Sequence, residues 1–185
     1  MLLALTLVAV ITGTHPQAEC KTAYGKTVCG YDCKAAFGEV KCAQTPHGIC
    51  EAAYDRLVCF DPPAYVVRAF QGEPPRPSCK SGYGLITCGY QCASGYGQVQ
   101  CSQTPWGVCE SGYDRVLCFD PSERVIRQYG SDLPTPQCKS GYGKIACGYS
   151  CASGNGEVRC SQTPEGICVA ASGAVQCFDP KTRRP

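Results

Sequence analysis

The chain has 185 residues, 18 of them Cys, 21 Gly and 14 Pro, and its formal net charge is only +2. Cysteine near a tenth of the chain is typical of a disulfide scaffold in an oxidising compartment. The 17 basic and 15 acidic residues are well mixed, without a basic stripe or an acidic tail, so we expect no nucleic-acid partner. Large aliphatic residues are sparse beyond the N-terminus, which favours several small modules over one large core.

The first element is the apolar run MLLALTLVAVI, which a polar stretch follows. The run is too short to span a bilayer and resembles the hydrophobic region of a secretory signal peptide. No Lys or Arg precedes it, and the residues before Ala18 fit a cleavage site poorly. We predict a signal peptide over 1–18, with an uncleaved membrane anchor as the alternative, and no transmembrane segment after cleavage.

The cysteines that follow form three sets of six with one spacing, C-x8-C-x3-C-x8-C-x7-C-x8-C, and a period of 59 residues. The even number in each set allows every set to close its own disulfides. The cysteines predicted to be paired are Cys20, Cys29, Cys33, Cys42, Cys50, Cys59, Cys79, Cys88, Cys92, Cys101, Cys109, Cys118, Cys138, Cys147, Cys151, Cys160, Cys168 and Cys177. The predicted modules are 19–62, 79–121 and 138–180, and a tail occupies 181–185.

Two linkers, 63–78 and 122–137, separate the predicted modules. Each begins with a short β-prone run, Val66-Val67-Arg68 in the first and Val125-Ile126-Arg127 in the second. Each then becomes rich in proline, and such segments are extended and semi-rigid. We therefore predict that the linkers are spacers in a three-module array, and no helix is apparent in them.

Every module contains three ten-residue units that begin and end in cysteine, such as CKAAFGEVKC at 33–42. Seven of the nine central pairs have Gly second, and Asn155-Gly156 is a strong signal for a two-residue hairpin turn. Glycine at that place supplies the positive φ that the turn needs. Each unit is therefore predicted to be a β-hairpin.

The hairpin register can be tested against the cysteines. With Phe37-Gly38 as the turn, Cys33 faces Cys42 at a non-hydrogen-bonded position, where the Cα atoms lie about 4.5 Å apart. The period of two places both cysteines, Ala35 and Val40 on one face. We predict an all-β, small disulfide-rich fold of three tandem modules, each of three disulfide-stapled β-hairpins. Pairings across the C-x3-C step stay open, as does the choice between a six-stranded meander and a pseudo-threefold cluster of hairpins.

Catalytic and metal chemistry find little support in the pattern. His47 is the only histidine inside a module, C-x-x-C is absent, and no phosphate or calcium loop is present. The pairs Asp55 with Asp61 and Asp114 with Asp120 could supply paired carboxylates, but FDP is better explained as an aromatic plug and a turn. We predict no catalytic residue, no metal and no cofactor, so that a hydrolase or a metal-binding protein is the least favoured alternative.

The QTPxG loops are the predicted contact sites, because one residue varies inside a fixed frame. Those candidate binding residues are His47, Trp106 and Glu165, framed by Gln44, Gln103 and Gln162. The competing interpretation is that the variable side chain simply points to solvent. The turn tyrosines could add stacking surface for sugars or peptides, although we expect them to pack locally across the hairpin.

The phrases CGYxC, VxCxQTPxGxC and CFDP, between Cys20 and Pro180, resemble those of uncharacterised secreted cysteine-rich repeat proteins of Gram-negative soil bacteria. The resemblance implies an extracellular or cell-envelope location and carries no known activity. We predict a secreted or cell-surface, non-enzymatic protein with a structural or multivalent binding role, whose partner is a protein or carbohydrate at the cell surface. The alternative is a secreted inhibitor or toxin-like effector that acts through the QTPxG loops.

Overall fold

The computed structural model describes residues 16–181, and the regular structure of this part is almost entirely β-strand. Most of the predicted signal peptide and of the tail lies outside the described residues. No helix among the described residues is both long and apolar enough to cross a bilayer. The predicted all-β, disulfide-rich class is confirmed.

The strands follow the three sequence repeats closely. The first repeat contains β1 (Glu19–Ala23), β2 (Lys26–Ala36), β3 (Glu39–Ala43), β4 (Ile49–Ala53) and β5 (Arg56–Phe60), with α1 (Ala64–Ala69) after them. The second contains β6 (Ser78–Gly82), β7 (Leu85–Gly89), β8 (Cys92–Gly95), β9 (Gln98–Cys101), β10 (Val108–Gly112) and β11 (Arg115–Phe119), with α2 (Glu123–Tyr129) and the 3-10 helix η1 (Gly130–Asp132) after them. The third contains β12 (Gln137–Gly141), β13 (Lys144–Gly148), β14 (Cys151–Gly154), β15 (Glu157–Cys160), β16 (Ile167–Ala171) and β17 (Ala174–Phe178).

The strands pair as nine antiparallel hairpins, numbered 1 to 9 along the chain, and β2 serves both hairpin 1 and hairpin 2. Ala35 pairs with Val40 across the Phe37-Gly38 turn, as the register predicted. All nine disulfides close within a hairpin, from Cys20–Cys29 in hairpin 1 to Cys168–Cys177 in hairpin 9. Their Cα atoms lie between 3.9 and 4.1 Å apart. The predicted stapled hairpin is therefore confirmed, and the pairings across the C-x3-C step are not formed.

The hairpins stack in one direction, which is neither of the two arrangements left open by the sequence. We call the side of a hairpin that carries its cysteines the cysteine face and the other side the back face. A Cβ atom added to Gly154, on the back face of hairpin 8, would lie 3.0 Å from the Cβ atom of Ala170, on the cysteine face of hairpin 9. A Cβ atom on Gly112 of hairpin 6 would similarly meet Ile145 of hairpin 7 at 3.3 Å. Each cysteine face thus covers the preceding back face, and the stack continues across the module boundary.

Small back-face residues set the spacing of the stack. Ordinary stacked sheets lie about 10 Å apart. Here many Cα atoms of successive hairpins approach within 8 Å, because Gly and Ala on the back face meet Ser or Ala on the cysteine face of the next hairpin. The disulfides contribute to this packing, since the Cys42 Sγ atom lies 3.5 Å from the Val28 carbonyl oxygen of the preceding hairpin. The alternating pattern was interpreted as one buried and one outer face. In the structure, both faces of an internal hairpin pack against neighbouring hairpins.

The linkers contain helices, so the prediction of short β-prone runs was wrong. Val66 in α1 and both Val125 and Ile126 in α2 are buried, and burial of these side chains outweighs the weak strand preference of β-branched residues. The helices also have local support, because Pro63 precedes α1 and the Ser122 hydroxyl accepts a hydrogen bond from the Val125 amide at 3.4 Å.

The linkers also pack against the hairpins, so they do more than separate the modules. The second linker supplies Leu133 to a buried cluster with Tyr149 of the third module. The first linker places Phe70 against Trp106 of the second module, with ring centroids 4.8 Å apart. The three modules consequently form one continuous stack.

Candidate binding surface

All nine hairpins point the same way, so their turns lie along one side of the stack, which we call the tip edge. Near the turns of hairpins 4 and 5, a Cβ atom on Gly82 would lie 3.6 Å from Val99. At the stapled end of the same two hairpins, the Cys101 Sγ atom lies 3.6 Å from the Thr87 carbonyl oxygen. Turn therefore lies beside turn and staple beside staple. The opposite side, which carries the connecting loops, is called the loop edge.

Seven of the nine turns present an aromatic ring on the tip edge. From hairpin 1 to hairpin 9, the first turn residues are Tyr24, Phe37, Tyr54, Tyr83, Tyr96, Tyr113, Tyr142, Asn155 and Ser172. We call the first seven the aromatic edge. Their exposed fraction runs from 48% for Tyr113 to 63% for Tyr83 and Tyr142. The expected local packing thus covers only part of each residue, and about half or more of its surface meets water.

These rings stand on an unfavourable backbone conformation. The φ angles of the seven aromatic residues lie between 50° and 59°, in the left-handed region that bulky side chains avoid. Such a residue costs roughly 1–2 kcal/mol. Asn155 has the same geometry at 51° with the residue type that this turn prefers. Hairpin 8 therefore shows that the fold does not need an aromatic residue at the turn.

Charge on the tip edge is balanced. The residues in and just after the turns include four bases and four acids: Lys26, Arg56, Arg115, Lys144, Glu39, Asp55, Asp114 and Glu157. Several are paired locally. The Lys41 ammonium lies 2.8 Å from Glu39 and holds the pKa of that exposed carboxyl below its usual value. The formal charges of these eight residues sum to zero, so they do not favour a strongly charged polymer.

The QTPxG loops, where contact was predicted, lie on the loop edge and are held internally. In the second loop, the Asp120 carboxylate accepts hydrogen bonds from the backbone N–H of Gln103 at 2.9 Å and from the backbone N–H of Thr104 at 2.8 Å. It also accepts one from the Thr104 hydroxyl at 2.9 Å. Asp61 and Asp179 bind the other two loops in the same way. The aspartate of FDP is therefore a loop anchor, a role that the sequence offered only as a turn residue.

The frame glutamines are engaged in the same loops. Each side-chain amide donates to the carbonyl of the cysteine two residues before it, at 3.1 Å for Gln44, 3.2 Å for Gln103 and 3.3 Å for Gln162. Their side chains thereby hold the loop backbone. Contact of these glutamines with a ligand stays a prediction, because nothing in the structure requires it.

The three variable loop residues have different surroundings. Trp106 is half-buried and stacks on Phe70, so it packs between a loop and a linker and does not simply point to solvent. His47 is also half-buried, whereas Glu165 is exposed. These settings do not form one repeated contact surface. A binding role for the three residues remains a prediction.

The phenylalanine of FDP is an interface residue at both internal module boundaries. Phe60 meets Tyr90 edge-on at 5.8 Å, and Phe119 meets Tyr149 edge-on at 5.7 Å. Burial raises the pKa of Tyr90 and of Tyr149 to about 12, and neither hydroxyl has a hydrogen-bond partner. The predicted aromatic plug is thus present, and it joins one module to the next.

No family model, no curated protein and no solved structure matches the chain. All eighteen cysteines are consumed by the nine disulfides, which leaves no thiolate for a metal or for nucleophilic attack. Residues 16–181 also contain no group of three or more histidine, cysteine or acidic side chains placed to hold a metal ion. The aromatic edge, with its seven exposed aromatic residues, is the candidate binding surface.

Proposed function

We propose that the protein is a secreted, non-enzymatic binding protein whose aromatic edge holds an extended neutral polysaccharide at several points. One observation carries the proposal: seven turns keep an exposed ring on a left-handed backbone, although Asn155 forms the same turn without that cost. Strain that the fold does not require is typical of functional sites. Nine disulfides in this small β protein support a location in an oxidising compartment.

The chemistry of the edge favours a sugar polymer. Aromatic faces bind the apolar C–H faces of sugar rings, and the tyrosine hydroxyl adds a polar group at the rim. Four bases and four acids offset each other along the edge, so an uncharged ligand suits it better than a polyanion. The rings are exposed on successive turns, which fits a long chain lying across them.

Weak contacts can add on this surface because the stack fixes their spacing. Each stapled hairpin holds its ring on a rigid turn, so little ordering entropy is lost when a ligand binds. A polymer held by one ring is presented to the next at high effective concentration, and the overall affinity can rise by a factor of about 100 or more. Repetition along the edge is therefore the source of the expected affinity.

The test is sedimentation of the purified, oxidised protein with insoluble cellulose and with insoluble chitin. We expect binding to at least one of them, and the triple variant Tyr83→Asn, Tyr96→Asn and Tyr142→Asn should lower the association constant at least about 10-fold. These substitutions copy the Asn155-Gly156 turn that the protein already contains.

The control variant carries His47→Ala and Glu165→Ala on the loop edge, and it should bind as strongly as the unmodified protein. Unchanged binding by the triple variant would overturn the proposal. Loss of binding in the control alone would move the binding site to the QTPxG loops.

A further inference from the structure

The tyrosines of this chain fall into two groups that differ in exposure. Six of them stand first in a hairpin turn and are 48% to 63% exposed. We call these the edge tyrosines: Tyr24, Tyr54, Tyr83, Tyr96, Tyr113 and Tyr142. The other five are buried or half-buried: Tyr31, Tyr65, Tyr90, Tyr129 and Tyr149. The phenol groups that a small reagent can reach are therefore concentrated on one edge of the stack.

The hydroxyls of the edge tyrosines have no partner inside the protein. Within residues 16–181, none of them forms a hydrogen bond, and none of their rings stacks on another aromatic ring. The turn does not require the hydroxyl either, because Phe37 occupies this position in hairpin 2 with the same φ of 52° as Tyr24 and Tyr96. The hydroxyls are thus free to react with a reagent from solution.

The chain offers an oxidant few competing targets. Cysteine and methionine are the side chains that oxidants commonly modify. All eighteen cysteines are held in disulfides, and the one methionine is Met1. The single tryptophan, Trp106, is half-buried and stacked on Phe70 with ring centroids 4.8 Å apart. Among the described residues, the edge tyrosines are consequently the most accessible side chains that are readily oxidised.

We propose that the edge tyrosines are a modification site, at which peroxide and a peroxidase join separate copies of the chain through dityrosine bonds. Each of two phenols gives up one electron and one proton, and the two radicals form a carbon–carbon bond between ring positions ortho to the oxygens. The hydrogen atoms on the two bonded carbons then move to the oxygens, which restores both phenols. The two electrons and two protons removed reduce one hydrogen peroxide to two molecules of water.

The geometry favours bonds between copies over bonds within one copy. Coupling must bring two ortho carbons to bonding distance, and each ring stands on the turn of its own stapled hairpin. No two edge rings stack on each other in the described part of the chain. The exposed edge of a second copy can supply the partner ring. The eight charged residues in and just after the turns sum to zero, so they do not oppose this approach.

Six reactive rings on one rigid chain should give a branched network. A copy with a single reactive ring can form only a dimer, whereas a copy with several can join several others. The protein would then serve as a covalently cross-linked material outside the cell. This inference stands independently of polysaccharide binding, because coupling needs the phenol group and is measured without any polysaccharide.

The test is treatment of the purified protein, with its disulfides intact, with hydrogen peroxide and a haem peroxidase. We expect dityrosine fluorescence together with dimers and larger species on a denaturing gel. These species should survive reduction by dithiothreitol, which separates dityrosine bonds from disulfides exchanged between copies. Peptide mapping should place the links at edge tyrosines.

Two variants and a matched control identify the reactive rings. Changing all six edge tyrosines to phenylalanine, the residue that hairpin 2 already has at Phe37, should abolish the cross-linked species. The control, Tyr31→Phe with Tyr65→Phe, removes two half-buried phenols and should cross-link like the unmodified protein. A variant that keeps Tyr83 and changes the other five edge tyrosines to phenylalanine should stop at a dimer.

Three outcomes would overturn the inference. Absence of dityrosine, under conditions in which free tyrosine couples, would show that the edge tyrosines do not react. Fluorescence without a rise in mass would place the bonds within one copy. Undiminished cross-linking in the sixfold variant, or growth beyond the dimer in the variant that keeps Tyr83, would assign the reaction to other tyrosines.

Discussion

The loop edge and the tip edge of the stack repeat with the same period but use their side chains differently. On the loop edge, Asp120 is hydrogen-bonded to Gln103 and Thr104, and Trp106 is stacked on Phe70. On the tip edge, rings such as Tyr83 remain 63% exposed on strained turns. The difference indicates that side-chain contacts on the loop edge stabilise the fold. The tip edge can therefore carry exposed rings that do not contribute to stability.

Glycine substitutions should give the largest difference in unfolding free energy between the two edges. A Cβ atom on Gly107 of the second QTPxG loop would clash with the Asp120 carboxylate and lie 2.5 Å from the Ser102 Cβ atom. Gly97, in the hairpin 5 turn, has open space around it and only a positive φ of 73°. We expect Gly107→Ala to lower the unfolding free energy by at least about 3 kcal/mol and Gly97→Ala to lower it by about 1 kcal/mol.

Urea denaturation of the oxidised protein measures both effects. If Gly97→Ala proved the more damaging of the two, the assignment of stability to the loop edge would be wrong.

Aspartate substitution gives the next largest contrast. Asp120→Ala would leave two amides and the fully buried Thr104 hydroxyl without their acceptor, which should cost about 3 kcal/mol of unfolding free energy. Asp114→Ala, on the tip edge, removes an exposed ion pair with Arg115 and should change it by less than about 0.5 kcal/mol. Denaturation midpoints of the two variants provide the measurement, and equal losses would contradict the comparison.

The smallest effect is also the most direct test of the aromatic edge. Tyr96→Asn replaces a bulky left-handed residue, at a φ of 52°, by the type that hairpin 8 uses at Asn155. We expect the unfolding free energy to rise by about 0.5–1 kcal/mol, since turn strain is relieved and few contacts are lost. A matched Asn155→Tyr substitution should lower it by a similar amount. A clear loss of stability in Tyr96→Asn would mean that the ring is structural.

Local features of the fold were predictable from the sequence, because they depend on neighbours in the chain. The turn at Phe37-Gly38 and the period of two fix which cysteine faces which. The stack itself was missed because back-face residues such as Gly112 and Gly154 look like an outer surface until their contacts are known. Phe37 was also missed as a ring of the aromatic edge, because only the turn tyrosines were considered as stacking surface.

The helices and the loop anchors depend on distant partners, which explains why the pattern did not reveal them. Val66 and Ile126 favour strands locally, but both side chains are buried in the helices of the folded chain, and this burial depends on residues distant in the sequence. Asp61 reaches back 16 residues to Thr45, a contact for which the FDP motif alone gives no sign. Alignment of the seven rings likewise follows from the common direction of the hairpins, and turn chemistry alone could not predict it.

Because cysteine face always stacks on back face, the stack has a direction, and its length is set by the number of modules. Because each of the two internal boundaries joins the same two kinds of face, another 59-residue module could be inserted between them without altering an existing contact type. Such an insertion would lengthen the row of rings by one module. The reach of the molecule along a ligand would then be set by copy number, while the chemistry of each contact stayed constant.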